Sequence, residues 1–458
     1  MFFTSPFFFM YNCFMNILQE FDTITAIATP LGTGGVGVIR ISGDNCFEII
    51  DKMFSKHNLE AGKIAHGWIL DGEKRVDEVL ILPFRKPHSY TGEDVIEIHC
   101  HGGVNVVKNI LDLTIKNGAR MAERGEFTKR AFLNKKMDLS QAEAVADLIH
   151  AKTRNFAMQS AKNLSGVLRD KVCEIKGQIF ETLSRIVAGI DFPEDVAEPE
   201  YSYLIESFEK SLSEIDNILE CARSSNILRQ GIKVAIVGRP NVGKSSLFNS
   251  LLNANRAIVT DIAGTTRDVI KETLDLDVAV TLIDTAGIRD CEDVGKVEEI
   301  GIEFSKQSVD EADLVIFLYD ASAGLTDDDK EIYELVKNKL HLEVANKCDL
   351  IEKREDGKFY ISTKTGEGIN ELREQIKQKV CDFSLEDTEY ITNERQVDCL
   401  KKCRESLIRA LEAAKIGELQ DLISIDLKSA LLFLDEITGE VITDDILNNI
   451  FDHFCIGK

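Results

Sequence analysis

The 458-residue sequence lacks any run of about twenty apolar residues, the length that a membrane-spanning helix requires. Its first 14 residues are rich in Phe but contain neither Lys nor Arg. Secretory signal peptides begin with basic residues and mitochondrial leaders carry several Arg, so neither class fits. We therefore interpret residues 1–14 as a disordered extension, or as a start assigned too early with translation beginning at Met15, and we expect no membrane association.

Positive charge is also scarce. The sequence has 54 Lys and Arg against 78 Asp and Glu, a net charge of −24, which argues against a broad surface that coats nucleic acid. Any RNA contact would need a local basic patch or a partner. The eleven cysteines never form a Cys-x-x-Cys pair and have no companions at zinc spacing, a pattern that fits reduced thiols in a cytoplasmic protein.

The chain changes character along its length. From Thr25, short β-rich runs alternate with glycine turns, and from Asp138 apolar residues recur at helical spacing, after a predicted capping box at Ser140–Glu143. From Ile232, apolar strands alternate with helical stretches in the rhythm of a parallel sheet, and from Asn393 the pattern is helical again. We predict a multidomain α/β plus all-α protein in which a Ras-like P-loop domain is inserted into a helical domain: an N-terminal α+β domain (1–136), the helical domain in two parts (137–228 and 385–458) and the inserted domain (229–384).

The segment Gly238–Ser245, Gly-Arg-Pro-Asn-Val-Gly-Lys-Ser, fills the pattern G-x-x-x-x-G-K-S/T between an apolar strand and an apolar helix. That context is the one expected for a P-loop. Its glycines let backbone N–H groups surround phosphates, and the helix N-terminus adds its dipole. We expect Lys244 to reach the β- and γ-phosphates and Ser245 to bind Mg²⁺.

Further motifs indicate which base is bound. Asp284–Gly287 supplies an acid for Mg²⁺ and a glycine near the γ-phosphate. Asn346–Asp349 resembles the N-K-x-D motif, whose carboxylate pairs with the N1–H and 2-amino group that guanine has and adenine lacks. Ser362–Lys364 resembles the S-A-K loop, with Thr363 in place of Ala where the contact comes from the backbone. The predicted GTP-binding residues are Asn241, Val242, Gly243, Lys244, Ser245, Ser246, Thr260, Asp261, Ile262, Ala263, Gly264, Thr265, Thr266, Asp284, Thr285, Ala286, Gly287, Asn346, Lys347, Asp349, Ser362, Thr363 and Lys364.

The residues for hydrolysis are less obvious. Thr266 lies in the segment Asp261–Asp268 and is expected to close on Mg²⁺ and the γ-phosphate as a switch. Ras-like enzymes place a Gln after the Asp-Thr-Ala-Gly motif to orient water, but here that residue is Ile288, which cannot hydrogen-bond water. Two alternatives stay open: Asn241 holds a monovalent cation beside the phosphates, or one of five carboxylates in Arg289–Glu299 orients the water.

These motifs resemble a known family. GRPNVGKSSL, TDIAGTTRD, DTAGIR, VEEIGIE and NKCD are similar to the G domain of the MnmE (TrmE) family of tRNA-modification GTPases, although alone they would also suit Era- or Der-like ribosome-assembly GTPases. TPLGTGGVGVIRISG, SYTGEDVIEIHCHGG, RGEFTKRAFLNKKMDLSQAEAVADLI and FCIGK resemble the family's folate-binding N-terminal domain and its C-terminal signature. The resemblance runs from about Asp22 to Lys458.

The resemblance implies a homodimer built through the N-terminal domains, and K⁺-dependent GTP hydrolysis as two G domains approach each other. A potassium ion beside the phosphates would neutralise developing charge as an arginine finger does. By the resemblance, the K⁺ ligands are Asn241, Thr260, Ile262 and Thr265, the Mg²⁺ ligands are Ser245 and Thr266, and the glutamate that orients water is Glu298.

The resemblance further implies a flavoprotein partner, MnmG, in a heterotetramer. Together the two would add a carboxymethylaminomethyl or aminomethyl group to C5 of the wobble uridine of certain tRNAs. The one-carbon donor would be 5,10-methylene- or 5-formyl-tetrahydrofolate, and FAD and NADH would enter only through the partner. The family's folate contacts fall on Arg40, Glu97, Lys136 and Lys458.

Other observations bear on this N-terminal module. Residues 116–136 hold seven basic and two acidic residues, an island suited to a folate's glutamate tail. From the residues alone, Arg40 and Glu97 would be read as a plain cross-strand pair. His99 and His101 share one face of a strand but have no evident third ligand, so we favour packing over a metal site. Cys455 is the candidate catalytic residue outside the G domain, as nucleophile, proton donor or positioning group.

Two rival functions stay open at this point. One is a ribosome-assembly or signalling GTPase that performs no covalent RNA chemistry. The other makes the N-terminal module a folate-dependent methyltransferase-like unit, with the G domain only as its regulator. Binding of a tetrahydrofolate derivative separates the first rival from the leading interpretation, and G-domain variants separate the second.

Overall fold

The computed structural model describes residues 22–253, 271–276, 278–284, 309–381, 390 and 392–458. It divides into two compact units. The first consists of the chain up to Ala146 together with Thr438–Lys458, and the second is Asp147–Ile437. The first unit therefore includes residues 137–146 and 438–458, which the sequence analysis assigns to the helical domain. The domain boundaries given by the sequence stay a prediction.

Six described strands form the sheet of the first unit, in the order β3-β4-β5-β2-β1-β6. All neighbours are antiparallel except β1 and β6. Alternate residues of β2 face opposite sides, so Ile39 and Ile41 are buried against helices while Arg40 points to the other face. The strands are β1 Ile24–Ile27, β2 Val36–Ser42, β3 Ala65–Asp71, β4 Lys74–Phe84, β5 Val95–His101 and β6 Arg120–Met121.

Two helices of the first unit cover the face of this sheet that carries Ile39 and Ile41. Residues of α1 and α2 share one apolar core with β2, β4 and β5. The predicted capping box at Ser140–Glu143 is wrong: α4 begins at Leu139, and Asp138 Oδ1 accepts the Gln141 N–H at 2.8 Å while the Gln141 side chain accepts the Asp138 N–H at 3.1 Å. The helices are α1 Cys46–Met53, α2 Val104–Lys116, α3 Glu126–Leu133 and α4 Leu139–His150, which crosses the unit boundary.

The second unit begins with long helices. Their apolar faces form one core that includes Ile179, Ile218, Leu407 and Leu427. Because these residues recur at helical spacing, their burial against neighbouring helices accounts for the amphipathic pattern in the sequence. The helices are α5 Arg154–Leu164, α6 Val167–Asp191 and α7 Tyr201–Gln230 before the second sheet, and α11 Glu394–Lys415 and α12 Gln420–Thr438 after it; α13 Asp444–Asp452 then follows in the first unit.

The second sheet lies in the chain between α7 and α11, so the predicted insertion of an α/β domain into a helical domain is confirmed. Its order is β12-β11-β10-β7-β9-β8, parallel except for the antiparallel β8. Every residue of the central strand β10 is buried, as expected where helices cover both faces. The elements are β7 Ile232–Val237, α8 Lys244–Asn253, β8 Lys271–Asp275, β9 Ala279–Asp284, β10 Leu314–Asp320, α9 Asp327–Val336, β11 His341–Asn346, a 3₁₀ turn Cys348–Leu350, β12 Phe359–Tyr360 and α10 Ile369–Cys381.

Among the residues that the structure describes, no helix is long and apolar enough to cross a bilayer.

Candidate functional site

The predicted P-loop connects the end of β7 to the start of α8. Gly243 has φ +103°, and a Cβ there would lie closer than 3.0 Å to the Asn346 Nδ2. Asn241 also adopts a left-handed conformation, with φ +66°, which an Asn tolerates better than most residues. Lys244 Nζ donates to the carbonyls of Gly238 at 2.8 Å and Arg239 at 3.0 Å. Its ammonium therefore lies over the loop in which the phosphates are expected to bind.

Asn346, at the end of β11, links the P-loop to the predicted guanine-binding loop Ser362–Lys364. It is fully buried, and its Nδ2 donates to Val242 O at 2.7 Å. The Thr363 N–H donates to Asn346 Oδ1 at 3.1 Å. The Thr363 hydroxyl also lies 3.3 Å from Asn346 Nδ2, a contact that an Ala at this position would lack. Thr363 therefore contacts Asn346 through both its backbone N–H and its hydroxyl.

The other two N-K-x-D residues are also held by neighbouring strands. Lys347 has φ +65° and its Nζ lies 2.7 Å from Asp320 Oδ2 at the end of β10. Burial alone would raise the pKa of Asp320, but hydrogen bonds from Lys347 and Ser322 outweigh burial and keep that pKa below its usual value. Asp349 is exposed, and its Oδ1 accepts the Ser362 hydroxyl at 2.7 Å. Its carboxylate is thus oriented while remaining accessible to a ligand.

The structure brings the described parts of this nucleotide site to one edge of the sheet. Asp284 ends β9, and it pairs in register with Ile236 of β7, so both strands end beside the P-loop. Ser245 and Ser246 lie in the first turn of α8, and Lys364 is exposed next to Thr363. A serine hydroxyl and a strand-end carboxylate are oxygen donors of the kind that Mg²⁺ prefers. The predicted residues Thr260, Asp261, Ile262, Ala263, Gly264, Thr265, Thr266, Thr285, Ala286, Gly287 and Glu298 lie outside the described residues.

A second cluster lies on the open face of the first sheet. Arg40 and Glu97 are register partners on β2 and β5, and Arg40 Nε and Nη2 lie 2.9 Å and 2.8 Å from Glu97 Oε1. Arg40 Cζ also lies 5.1 Å from the centre of the Tyr90 ring and 5.6 Å from that of Phe127. Cation–π contact and the ion pair both fix the guanidinium. We call Arg40, Glu97, Tyr90 and Phe127 the Arg40 site.

The tail, Phe454–Lys458, docks beside this site. Arg40 Nη1 lies 3.5 Å from Gly457 O, and the Phe127 N–H donates to Lys458 O at 3.2 Å. Gly457 has φ +97°, and a Cβ there would lie closer than 3.0 Å to Ile27 O. Only glycine fits both conditions. The tail is therefore held by its backbone, and the α3 N-terminus uses an amide that its own helix leaves unpaired.

The side chains of the tail differ in their surroundings. Burial lowers the pKa of the Lys458 ammonium and the nearby Arg40 guanidinium lowers it further, although Glu97 and Cys455 act in the opposite direction. Cys455 is exposed, and its carbonyl accepts the Gly125 N–H at 3.5 Å. Of the predicted folate contacts, the structure thus brings together Arg40, Glu97 and Lys458.

The basic island at residues 116–136 is largely occupied by contacts within the first unit. Lys136 Nζ donates to Pro87 O at 2.9 Å, in the loop that carries Tyr90. Lys129 Nζ donates to Asn448 Oδ1 at 2.9 Å, and Arg130 is buried in an ion cluster. The count of basic residues in the sequence therefore overstates the charge that is available to an anionic ligand.

The two histidines of β5 contact carboxylates. His101 Nδ1 lies 2.6 Å from Asp77 Oδ1, and the backbone N–H of His101 donates to Asp77 Oδ2 at 2.8 Å. His99 Nε2 lies 3.5 Å from Glu97 Oε2, which is too far for a good hydrogen bond. Within the described ranges no group of three or more potential ligands could hold a metal ion.

Sequence reasoning missed two residues of the Arg40 site and the carboxylate that contacts His101. Tyr90 and Phe127 lie inside the quoted motifs SYTGED and RGEFT, which was the available signal, but nothing local indicates that both rings contact Arg40. Asp77 had no signal at all, because it is 24 residues from the histidine that it contacts.

Comparison with known proteins covers nearly all of the chain. The model of the MnmE helical domain matches residues 139–455, and that of the GTP-binding protein TrmE N-terminus matches residues 23–136. The chain belongs to the MnmE family. The resemblance inferred from the sequence motifs is thereby confirmed.

Full-length relatives agree with this family assignment. The chain is 44% identical to the tRNA modification GTPase MnmE of Thermoanaerobacter pseudethanolicus, over 96% of this chain and 100% of that protein. It is 42% identical to the protein of the same name from Thermotoga maritima, over 95% of this chain and 100% of that protein. Among solved structures, Aquifex aeolicus Era bound to GDP and AlF4⁻ is 28% identical over 39% of this chain and 67% of that one, with a TM-score of 0.27.

Proposed function

We propose that this chain is a GTPase that acts in tRNA modification. The observation that carries the proposal is the presence of two built sites in one MnmE-family chain: a guanine-type nucleotide site and the Arg40 site with its docked tail. A GTPase that served only as a switch for other proteins would not need the second site. The relatives named above bear the name tRNA modification GTPase.

In the nucleotide site, Lys244 shifts from the loop carbonyls to the β- and γ-phosphates, while the backbone amides of the P-loop and the start of α8 bind phosphate oxygens. Asp349, oriented by Ser362, pairs with the N1–H and 2-amino group of guanine. Mg²⁺, when bound through Ser245 and Thr266, neutralises charge on the phosphates.

Hydrolysis depends on K⁺ in this proposal. Ile288 replaces the glutamine that orients water in Ras-like enzymes, so charge neutralisation and water orientation must come from elsewhere. Asn241 is exposed in the P-loop and offers a side-chain oxygen for the cation, with Thr260, Ile262 and Thr265 as further ligands. Glu298 orients the water. GTP turnover should therefore be much faster in KCl than in NaCl, and equal rates in the two salts would contradict a cation site at Asn241.

The Arg40 site binds a tetrahydrofolate derivative, 5,10-methylene- or 5-formyl-tetrahydrofolate. Glu97 can accept hydrogen bonds from the amino and N–H edge of the pterin, while Arg40, Lys136 and Lys458 supply positive charge for the folate carboxylates. The exposed Cys455 thiol lies in the tail that docks there, next to the expected one-carbon unit. The bound folate would supply the one-carbon unit of the C5 group on the wobble uridine, an amine donor would supply its nitrogen, and a flavoprotein of the MnmG kind would contribute FAD and NADH.

We further propose a homodimer through the first unit. The sheet face that carries Glu97 and His99 also exposes apolar side chains, with Val36 59% and Leu80 42% exposed. Contiguous apolar patches on a protein surface are typical of sites that a partner covers, whereas singly exposed apolar residues are common. A cytoplasmic location fits the cysteines, since the eight whose side chains the structure describes are free thiols.

The decisive experiment titrates the purified chain with 5-formyl-tetrahydrofolate by calorimetry, in wild type, in Glu97→Gln and in the exposed control Glu78→Gln. We expect binding in the wild type and the control, and its loss in Glu97→Gln. No binding by the wild-type chain would overturn the folate assignment.

A second measurement tests the tRNA role directly. Nucleosides of tRNA from cells that lack the gene should lose the C5-modified wobble uridine, and cells that carry Lys244→Ala should show the same loss if the GTPase drives the chemistry. Unchanged wobble uridines in the gene-deleted cells would instead favour a ribosome-assembly or signalling GTPase.

A further inference from the structure

A buried cluster of charges lies behind the Arg40 site. The Arg130 side chain is only 1% exposed, between Glu93 and Glu126, which are 13% and 10% exposed. Arg130 Nη1 lies 3.1 Å from Glu93 Oε2, and Arg130 Nη2 lies 2.9 Å from Glu126 Oε1. We call these three residues the Arg130 cluster. Because Arg130 is almost fully buried, it cannot itself contact a ligand.

Each carboxylate of the cluster belongs to an element that carries a ring of the Arg40 site. Glu93 lies three residues after Tyr90 in the same loop, and Glu126 directly precedes Phe127 at the start of α3. The Tyr90 hydroxyl lies 2.9 Å from the Thr128 hydroxyl, which makes a second link between the same two elements. The Arg130 cluster therefore links the loop and the helix whose rings contact the Arg40 guanidinium.

The cluster is also connected to the strand and the tail. Glu93 Oε2 accepts the Ser42 hydroxyl at 2.7 Å, and Ser42 lies two residues after Arg40 on β2. At the other side, the first turn of α3 holds the tail through the Gly125 and Phe127 amides. One ion cluster thus joins the strand, the loop and the helix that surround the Arg40 site.

Stability alone does not explain such a cluster. Removing charges from water is costly, and well-packed apolar residues of similar volume often stabilise a protein as much as a buried ion pair does or more. What an ion cluster adds is direction, because a guanidinium bonds two carboxylates only in a fixed planar geometry. Glu126 is well satisfied in this arrangement: burial would raise its pKa, but hydrogen bonds from Arg120, from the Glu123 N–H and from Arg130 keep that pKa below its usual value.

We propose that Glu93, Glu126 and Arg130 position Tyr90, Phe127 and the tail around Arg40, and thereby determine how tightly the Arg40 site holds its ligand. Arg130 is a positioning residue that acts through the two rings and the first turn of α3. The part of this inference that concerns a folate ligand rests on the proposed function. The part that concerns the loop and the tail stands on the contacts alone.

The test uses the full chain with a neutral double variant, Glu93→Gln/Arg130→Met. It removes one positive and one negative charge and keeps similar volumes, so no new net charge is buried. Glu93→Gln alone serves as a second variant in case the double variant does not fold. Lys116→Met is the matched control, because it removes the exposed ion pair of Lys116 with Asp71, at 2.9 Å in the same unit.

Two readouts separate positioning from bulk stability. Hydrogen exchange followed by mass spectrometry should show at least tenfold faster exchange in residues 85–94 and 454–458 of the double variant, with the second unit unchanged. Calorimetry should show at least tenfold weaker binding of 5-formyl-tetrahydrofolate, with basal GTP hydrolysis and the unfolding temperature close to wild type. Lys116→Met should match the wild type in every measurement.

The outcomes are distinguishable. If the wild-type chain binds no folate derivative, the proposed function fails, and hydrogen exchange alone decides this inference. Unchanged exchange in either segment, in a folded variant, overturns the positioning role, as does wild-type folate affinity in the double variant. Faster exchange spread evenly over the first unit would also overturn it, because that result indicates a merely structural cluster.

Discussion

The docking of the tail depends on a single glycine, and Gly457→Ala tests it. The residue has φ +97°, and an added Cβ would lie closer than 3.0 Å to the backbone oxygen of Ile27, an atom that cannot move aside as a side chain can. A backbone conformation of this kind costs a residue other than glycine about 1–3 kcal/mol. That range corresponds to about a 5- to 150-fold weaker docking equilibrium.

The assay for this prediction follows the Phe127 amide, which donates to Lys458 O in the docked tail. Its exchange with deuterated solvent should accelerate by about 5- to 150-fold in Gly457→Ala, and the affinity for 5-formyl-tetrahydrofolate should fall in parallel. Gly62→Ala is the matched control, since Gly62 also has a positive φ of +77° but a Cβ there meets nothing within 4 Å. Wild-type exchange and affinity in Gly457→Ala would refute the reasoning.

Four further predictions concern single side chains. Asn346→Ala removes the partner of the buried Val242 carbonyl, at about 1–3 kcal/mol, and that of the partly buried Thr363 N–H. GDP affinity measured with a fluorescent analogue should therefore fall at least tenfold, and unchanged affinity would contradict the cross-link between the loops. Asp349→Asn should weaken GTP binding and favour xanthosine triphosphate, because the 2-oxo group of xanthine accepts a hydrogen bond from the Asn amide. A competition assay between the two nucleotides measures this change, and a retained preference for GTP would show that Asp349 does not recognise the base. The pKa of the Lys458 amine is lower in the docked tail than in the free tail, so the docked tail binds a proton less tightly. Docking of the tail should therefore strengthen as the pH rises from the docked pKa to the ordinary pKa of Lys. Arg40→Met should raise that pKa and slow acylation of the Lys458 amine at mildly alkaline pH, as measured by mass spectrometry, whereas equal rates would show that Arg40 exerts no such effect.

The nucleotide site was predictable as far as its information is local. Gly238–Ser245 lies between a strand and a helix that are both contiguous with it, so spacing and residue type sufficed. The bond from Asn346 to Val242 O was not predictable in this way, because it joins residues 104 positions apart. That distance in sequence is closed by the parallel sheet, whose order no single motif encodes.

The start of α4 shows why a correct pattern can be placed wrongly. Both Asp138–Gln141 and Ser140–Glu143 have a capping residue followed three positions later by Gln or Glu. The structure selects the first pair, and Leu139 and Ser140 are both buried within the helix. Tertiary burial decided between two local patterns of equal quality, and the sequence carries no separate signal for that burial.

The Arg40 site lies between these two cases. Read from the residues alone, Arg40 and Glu97 form a cross-strand pair, and they do. The pair is nonetheless flanked by two rings and by the tail, so the plain interpretation and the functional one describe the same geometry. The seven basic residues in 116–136 indicated a surface that binds an anionic ligand. Arg130, one of the seven, is instead buried and belongs to an internal ion cluster.

The return of the tail to the first unit has a consequence for synthesis of the chain. Arg40 and Gly457 are 417 residues apart, and at about 5–20 residues per second the ribosome needs about 20–80 s to pass from one to the other. During that time the second unit, which lies wholly between them, can complete its fold, while the first unit still lacks the strand-like pairing of Arg124 with Ile456. A nascent chain would therefore acquire a folded nucleotide domain before the tail can dock at the Arg40 site, and premature termination would yield a chain with that domain but without the docked tail.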